Sequence, residues 1–298
     1  MEALLGQLSE QEIFILFFGA LLTGIASGGL AGLLGVGGGT IIVAFLYYIF
    51  SNLGVHPDHQ MHVAIGTSLA TMIPISLRSL HGHLRANSVD TDLLLGYWFV
   101  PLLVGAILGG ALNGQFSDVA LRIGFACFIS ILGIYYLAAK ETRAIAQRLP
   151  SGITRWVMGG GNGFIASSFG VGGGALGVVA MTAHAVPIHR AVGTSSGFGA
   201  IIASPAVIGF VLAGWNAEGL PPWSLGYVNV IGFVLITPSA LIAARLGVLI
   251  AHNLPQKSLR RVLAVFLIAA AIYMVHDAIA PSLAEVENPD LNEEGFDS

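Results

Sequence analysis

Gly35-Val36-Gly37-Gly38-Gly39 returns in the second half of the chain as Gly170-Val171-Gly172-Gly173-Gly174. Each stretch interrupts a long apolar run. Glycine costs a helix interior about 1 kcal/mol per position relative to alanine, so four glycines in five residues predict a break in the helix at both places. Inside a bilayer, irregular backbone survives only where protein buries it or where it lines a cavity. A helix that restarts at Thr40, or at Ala175, presents unpaired N–H groups and the positive end of its dipole, a combination that binds anions. Two such ends converging near the bilayer midplane is an arrangement that transporters use. A close helix crossing that needs no side chains is the competing explanation.

The rest of the chain places these motifs in a membrane. Of its 298 residues, 55% are hydrophobic and 9% are charged, and the mean hydropathy is +0.82. A soluble domain carries roughly 25% charged residues, so this chain could not cover a water-facing surface. Runs 13–34, 93–112, 119–139, 188–213, 224–250 and 262–275 contain no acidic residue, and about 20 apolar residues span a bilayer core as a helix. Gly28 and Gly32, like Gly105 and Gly109, have the four-residue spacing that lets membrane helices approach closely. The single Cys127 excludes an intrachain disulfide and reads as a small packing residue. The acidic excess lies at the ends, before the first run and in a polar tail over 281–298. The N-terminus lacks the basic region of a signal peptide, so the first run is expected to stay as a helix.

The glycine motifs belong to a longer repeat. Ala64-Ile65-Gly66-Thr67-Ser68 matches Ala191-Val192-Gly193-Thr194-Ser195, and His62 aligns with His189. Leu121-Arg122 matches Leu259-Arg260, and Ile134-Tyr135 matches Ile272-Tyr273. The organisation that follows is a first transmembrane repeat over 1–139, a cytoplasmic linker over 140–152, a second repeat over 153–280 and the tail. Lys and Arg favour cytoplasmic loops. The loop 78–85 is basic whereas 113–118 has no Lys or Arg; in the second half 215–222 has none and 252–261 is basic. Opposite bias in matching loops predicts inverted repeats, which need an odd number of crossings each. Short segments 40–50 and 175–183 supply the fifth. The expected fold is therefore an all-α polytopic membrane protein with ten membrane segments, eight long and two short. Eight spans in parallel repeats is the alternative.

Several residues carry candidate chemistry. Gly37, Gly38, Gly39 and Thr40, with Gly172, Gly173, Gly174 and Ala175, form the expected substrate-binding backbone. Thr67, Ser68, Thr194, Ser195 and Ser196 add hydroxyl donors without charge, although a helical hydroxyl can instead bond its own i−4 carbonyl. Arg190, just before the second Gly-Thr-Ser motif, and Arg245, within an apolar stretch, are candidates for a gate or a charged contact; snorkelling to the interface is the other reading of Arg245. His56, His59 and His62 are spaced three apart and read as a loop-exposed or interfacial trio rather than a metal site. His81 and His83 are placed on a cytoplasmic surface beside Arg78 and Arg85. Gly193-Thr194-Ser195-Ser196-Gly197 fits a nucleophile elbow, but the elbow needs a strand-to-helix turn in a soluble sheet. Between Trp156 and His276 the only carboxylate is Glu218, while Asp58, Asp90, Asp92 and Asp118 fall near expected helix ends. A chain of membrane carboxylates, common in proton pumps, is absent from this pattern, and such a core favours an anion over a cation.

The doubled Gly-Val-Gly-Gly-Gly followed by Ala-Val-Gly-Thr-Ser, with Leu225-Gly226-Tyr227-Val228-Asn229 in the second half, resembles the TauE/SafE sulfite exporter family over residues 12–277. The resemblance implies a multi-pass permease of the cell inner (plasma) membrane that exports sulfite, an organosulfonate or a related anion. It implies no enzyme activity, cofactor or metal. The expected partners are a small anion and the lipid bilayer, not a nucleic acid. A passive anion channel, and a serine hydrolase using Ser195 with His184 or His189, are the alternative functions. The second motif departs from the first, since Ser196-Gly197-Phe198-Gly199 is richer in glycine than Leu69-Ala70-Thr71-Met72.

Overall fold

Trp98, Tyr47, Phe125, Phe198 and Phe210 are buried between helices, while many other bulky apolar side chains face outward. The computed structural model describes residues 10–35, 37–53, 55–138, 145–250, 264–265, 267–274 and 276. Helix α1 (Glu10–Leu34) exposes Phe17, Phe18, Leu21, Leu22 and Ile25 and buries Ser27 and Ala31. That distribution is expected where lipid is the solvent, because apolar side chains gain nothing by leaving it and close backbone contact drives packing.

The chain continues as α2 (Gly39–Asn52), α3 (Gln60–Arg85), a π-helical turn (Asp92–Trp98) leading into α4 (Phe99–Leu112), and α5 (Asp118–Ala138). After the linker come α6 (Ile153–Phe169), α7 (Gly174–Ala183), α8 (Ile188–Ser195), α9 (Phe198–Ala213), a hairpin of β1 (Ser224–Leu225) with β2 (Val228–Asn229), and α10 (Val230–Ile250). The hairpin pairs Ser224 with Asn229 and Leu225 with Val228. It corrects the expected apolar run over 224–250, whose helix starts only at Val230. Gly226 makes the reversal at φ +55, and a methyl group on it would stand 2.2 Å from the Val211 carbonyl oxygen.

Among the described residues six helical segments are long and apolar enough to cross a membrane: Leu16–Leu34, Gln60–Arg85, Asp92–Gln115, Asp118–Tyr135, Ile188–Ala213 and Val230–Ile250. Two shorter apolar helices, Gly39–Asn52 and Gly174–Ala183, coincide with the expected short segments. Helix α6, 17 residues long, counts neither among the six nor among the two short apolar helices. The last expected span, 262–275, is described only in part, and its described residues are helical. The first nine residues, residue 139, the linker's residues 140–144, the basic loop 252–261 and the acidic tail lie outside the described residues.

The chain packs as two compact units, one of residues 1–118 and 140–254, the other of 119–139 and 255–298. The second unit therefore takes the last helix of each half. Within it, Gly133 lies against Ile268 and Leu267, while Cys127 is exposed rather than packed.

Within the first unit the two most extensive helix pairings are α1 with α10 and α4 with α6. A methyl group at Gly28 would stand 2.1 Å from the Ala240 carbonyl oxygen, and one at Gly32 would stand 2.3 Å from that of Ala244. One at Gly105 would stand 2.0 Å from the Gly160 carbonyl, and one at Gly163 would stand 2.2 Å from that of Leu102. Both glycine pairs thus serve close helix packing. Each pairing also joins the opening helix of one half to a late helix of the other.

Candidate functional site

The two glycine stretches break their helices in the same way. Helix α1 stops at Leu34 and α2 begins at Gly39; α6 stops at Phe169 and α7 begins at Gly174. Gly35, Gly37 and Gly38 adopt φ of +64, +87 and +68, and Gly170, Gly172 and Gly173 adopt +67, +73 and +65. Left-handed backbone three times over is open to glycine at no steric cost, which accounts for the composition of both motifs.

The breaks also touch. A methyl group on Gly37 would lie 3.5 Å from the Gly172 Cα, and one on Gly39 would lie 2.1 Å from the Gly170 carbonyl oxygen. The Ser68 hydroxyl donates to Gly170 (3.0 Å) and Gly39 (3.2 Å), one carbonyl from each half. Met72, one helical turn further along α3, places its thioether against Gly37, Gly39 and Gly172 and is fully buried. A long flexible side chain thus fills the junction. No described residue accepts a hydrogen bond from the N–H groups of Gly172, Gly173, Gly174 and Ala175, the unpaired donors that start a helix.

Asn162 on α6 stands against the second break. Its side-chain amide donates to the Gly173 carbonyl at 3.0 Å, while its buried Oδ1 meets no donor among the described residues. The equivalent place in the first half is held by Ser27, whose backbone lies against Gly38. The sequence reading passed over Asn162; a lone amide in the glycine-rich run 159–163 was the available signal.

The Gly-Thr-Ser hydroxyls have defined partners. Thr67 Oγ1 accepts the Asn229 N–H at 2.8 Å, and Thr194 Oγ1 accepts the Asp90 N–H at 2.9 Å. Asn229 then accepts from the Gly232 N–H and Asp90 from the Leu93 N–H, at 2.9 and 3.0 Å, so each caps the helix that follows it. The threonine of each half thus holds the capping residue of the other. Ser195 donates to the carbonyls of Val192 (3.1 Å) and Gly35 (3.4 Å), and Ser196 to that of Gly193 (2.6 Å). A serine bonded to carbonyls is not arranged as a base-activated nucleophile. The halves also differ here: α3 runs unbroken through its motif, whereas Ser196-Gly197 separates α8 from α9.

These bonds yield a direct expectation. Thr67→Val keeps the shape but leaves the buried Asn229 amide unpaired, and it should lower stability by about 1–3 kcal/mol. Thr194→Val should cost less, because Asp90 is only half-buried. Thr→Ser at either site should recover most of the loss, read as thermal unfolding in detergent.

The structure corrects two histidine readings. His62 is 4% exposed, with Nδ1 3.4 Å from the Asp118 carboxylate and Nε2 3.3 Å from the Asn113 carbonyl. Asp118, itself buried, accepts the Met61 N–H at 2.7 Å and so caps α3. The amphipathic loop pattern concealed this buried acid. Tyr227 packs on His62 with ring centroids 4.8 Å apart; burial pushes its phenol above the ordinary value, and the Asp118 carboxylate adds to the rise. His83 is also buried, bridging the Ser88 hydroxyl and the Gly32 carbonyl at 3.1 Å each, and does not lie on a surface. Among the described residues no three His, Cys, Asp or Glu side chains group as metal ligands.

Arg190 pairs with Asp90 at 3.2 Å, with its side chain 60% exposed, and so reinforces the Thr194 contact. Arg245 is gathered with Arg78 and Arg85, not with the glycine breaks.

The family model described as Sulfite exporter TauE/SafE matches residues 20–274. Similar proteins include a probable membrane transporter protein of Haemophilus influenzae, 28% identical over 85% of this chain and 96% of that one. Others are probable membrane transporter proteins of Methanocaldococcus jannaschii, 24% identical over 89% of this chain and 98% of that one, and of Bacillus subtilis, 23% identical over 87% and 97%. No solved structure matches the chain.

Proposed function

The chain belongs to the TauE/SafE sulfite exporter family, and from that premise we propose that it is a secondary transporter exporting a small sulfur-containing anion, sulfite or an organosulfonate, across the cell inner membrane. The observation that carries this reading is the meeting of two left-handed glycine breaks at one buried point, each opening a short apolar helix. Amides of Gly37, Gly38, Gly39 and Thr40 and of Gly172, Gly173, Gly174 and Ala175 receive the anion. Ser68 and Ser195 brace the breaks through their bonds to Gly39, Gly170 and Gly35, while Thr67, Thr194 and Ser196 fix the segments beside them through Asn229, Asp90 and Gly193. Met72 closes the junction and moves aside for cargo.

In this reading the repeats are inverted and the chain has ten membrane segments. The reciprocal contacts support it. When Thr67 holds Asn229 and Thr194 holds Asp90, and α1 pairs with α10 as α6 pairs with α4, exchanging the halves maps the contact set onto itself, as a two-fold axis requires. The opposed loop charges then place the basic loops inside.

Purified protein in proteoliposomes should move radiolabelled sulfite or sulfoacetate and accumulate it against a gradient when a driving ion is supplied. Movement of a neutral or cationic solute with no oxyanion flux would overturn the anion assignment. Flux that never accumulates would make the protein a channel.

A further inference from the structure

Three arginines stand together at the other end of α3. Arg78, His81 and Arg85 follow one another at three- and four-residue spacing, which sets them on one helix face. Arg245 approaches from α10, where Gly82 packs on Val248. Together these residues line a cavity of about 320 Å³ with no acidic residue among its described lining. Among the described residues no carboxylate lies within ion-pair distance of Arg78, Arg85 or Arg245. Three arginines lining one cavity without an acidic partner offer forked donors that a phosphate oxyanion can accept.

The surroundings identify the source of the oxyanion. Next to the arginines run exposed apolar side chains: Leu77 and Leu84 on α3, and Ile242, Leu246 and Leu249 on α10, between 43% and 66% exposed. A cationic cavity at the edge of an apolar outer face matches a lipid that has a charged head and hydrocarbon tails. A soluble ion would leave that apolar margin unused.

We propose that this cavity is an oxyanion site occupied by the phosphodiester headgroup of an anionic phospholipid, with the acyl chains lying along Leu77, Leu84, Ile242 and Leu249. Nothing in the site depends on the cargo at the glycine breaks, so the two assignments stand or fall separately.

The full chain, purified in neutral detergent, tests this by thermal unfolding and lipid titration. Phosphatidylglycerol should raise the melting temperature by several degrees, and phosphatidylcholine should not. The triple variant R78Q/R85Q/R245Q should lose the phosphatidylglycerol shift and bind that lipid about a hundredfold more weakly, as expected when three interfacial cations are each worth about a factor of five. R245K, which keeps the charge, should retain the shift. If the triple variant does not fold, each single Arg→Gln variant should weaken binding about fivefold. Equal shifts with both lipids, or a triple variant that still prefers phosphatidylglycerol, would overturn the proposal. A response to inorganic phosphate equal to that with phosphatidylglycerol would overturn the lipid as the source of the oxyanion.

Discussion

Gly38→Ala will abolish transport and destabilise the protein by about 3 kcal/mol. Two costs add. An L-residue pays roughly 1–2 kcal/mol in left-handed backbone, and Gly38 sits at φ +68. The new methyl group would also stand 2.2 Å from the Ser27 carbonyl oxygen, with the Ser27 Cα at 2.9 Å. Both obstacles are backbone, so α1 must shift, at an overpacking cost of about 1–3 kcal/mol. Any shift moves the start of α2 away from the Gly170–Gly39 contact. Gly29→Ala is the matched control: no described residue lies within 4 Å of its added methyl group, and helix propensity should add up to about 1 kcal/mol of stability. Thermal unfolding and vesicle flux measured side by side decide the matter. Should Gly38→Ala behave like Gly29→Ala, the left-handed break would not be what sets the junction.

Asn162→Asp will reduce anion flux by more than a hundredfold. The side chain already lies against Gly173, with an oxygen that meets no donor among the described residues. A carboxylate there faces the proposed cargo with like charge. At an effective dielectric constant near 20 and a separation of about 5 Å, the repulsion is about 3 kcal/mol. Asn162→Ala removes one hydrogen bond without adding charge and should cost no more than about tenfold. Equal losses in the two variants would mean that charge at this position is irrelevant, and the glycine junction would no longer qualify as an anion site.

The breaks were legible because glycine at four of five positions has few other uses inside an apolar run. Repetition of the motif made the starts of both short helices, at Gly39 and Gly174, readable to within a residue. The membrane class followed from composition in the same direct way. Partner identity was not legible. Nothing local in Gly-Thr-Ser says that Thr67 meets Asn229 or that Thr194 meets Asp90, because those bonds cross between halves distant in sequence. His62 and Asp118 were hidden for a related reason. Each looks like a polar residue at a helix end, and only the fold brings both under cover. The hairpin at 224–229 was masked by its apolar composition, which strands and membrane helices share. Met72 escaped notice because methionine is unremarkable in an apolar helix; its place is fixed by glycines of the two breaks.

The pairing of α1 with α10 has a consequence for how the protein is made. Roughly two hundred residues separate the two helices, and translation at about 5–20 residues per second needs on the order of ten to forty seconds to bridge them. Throughout that interval the nascent first helix carries its groove of Gly24, Gly28 and Gly32 with no mate emerged from the ribosome. Biogenesis must therefore hold the leading segments of the chain apart from wrong neighbours until the penultimate helix arrives to complete them.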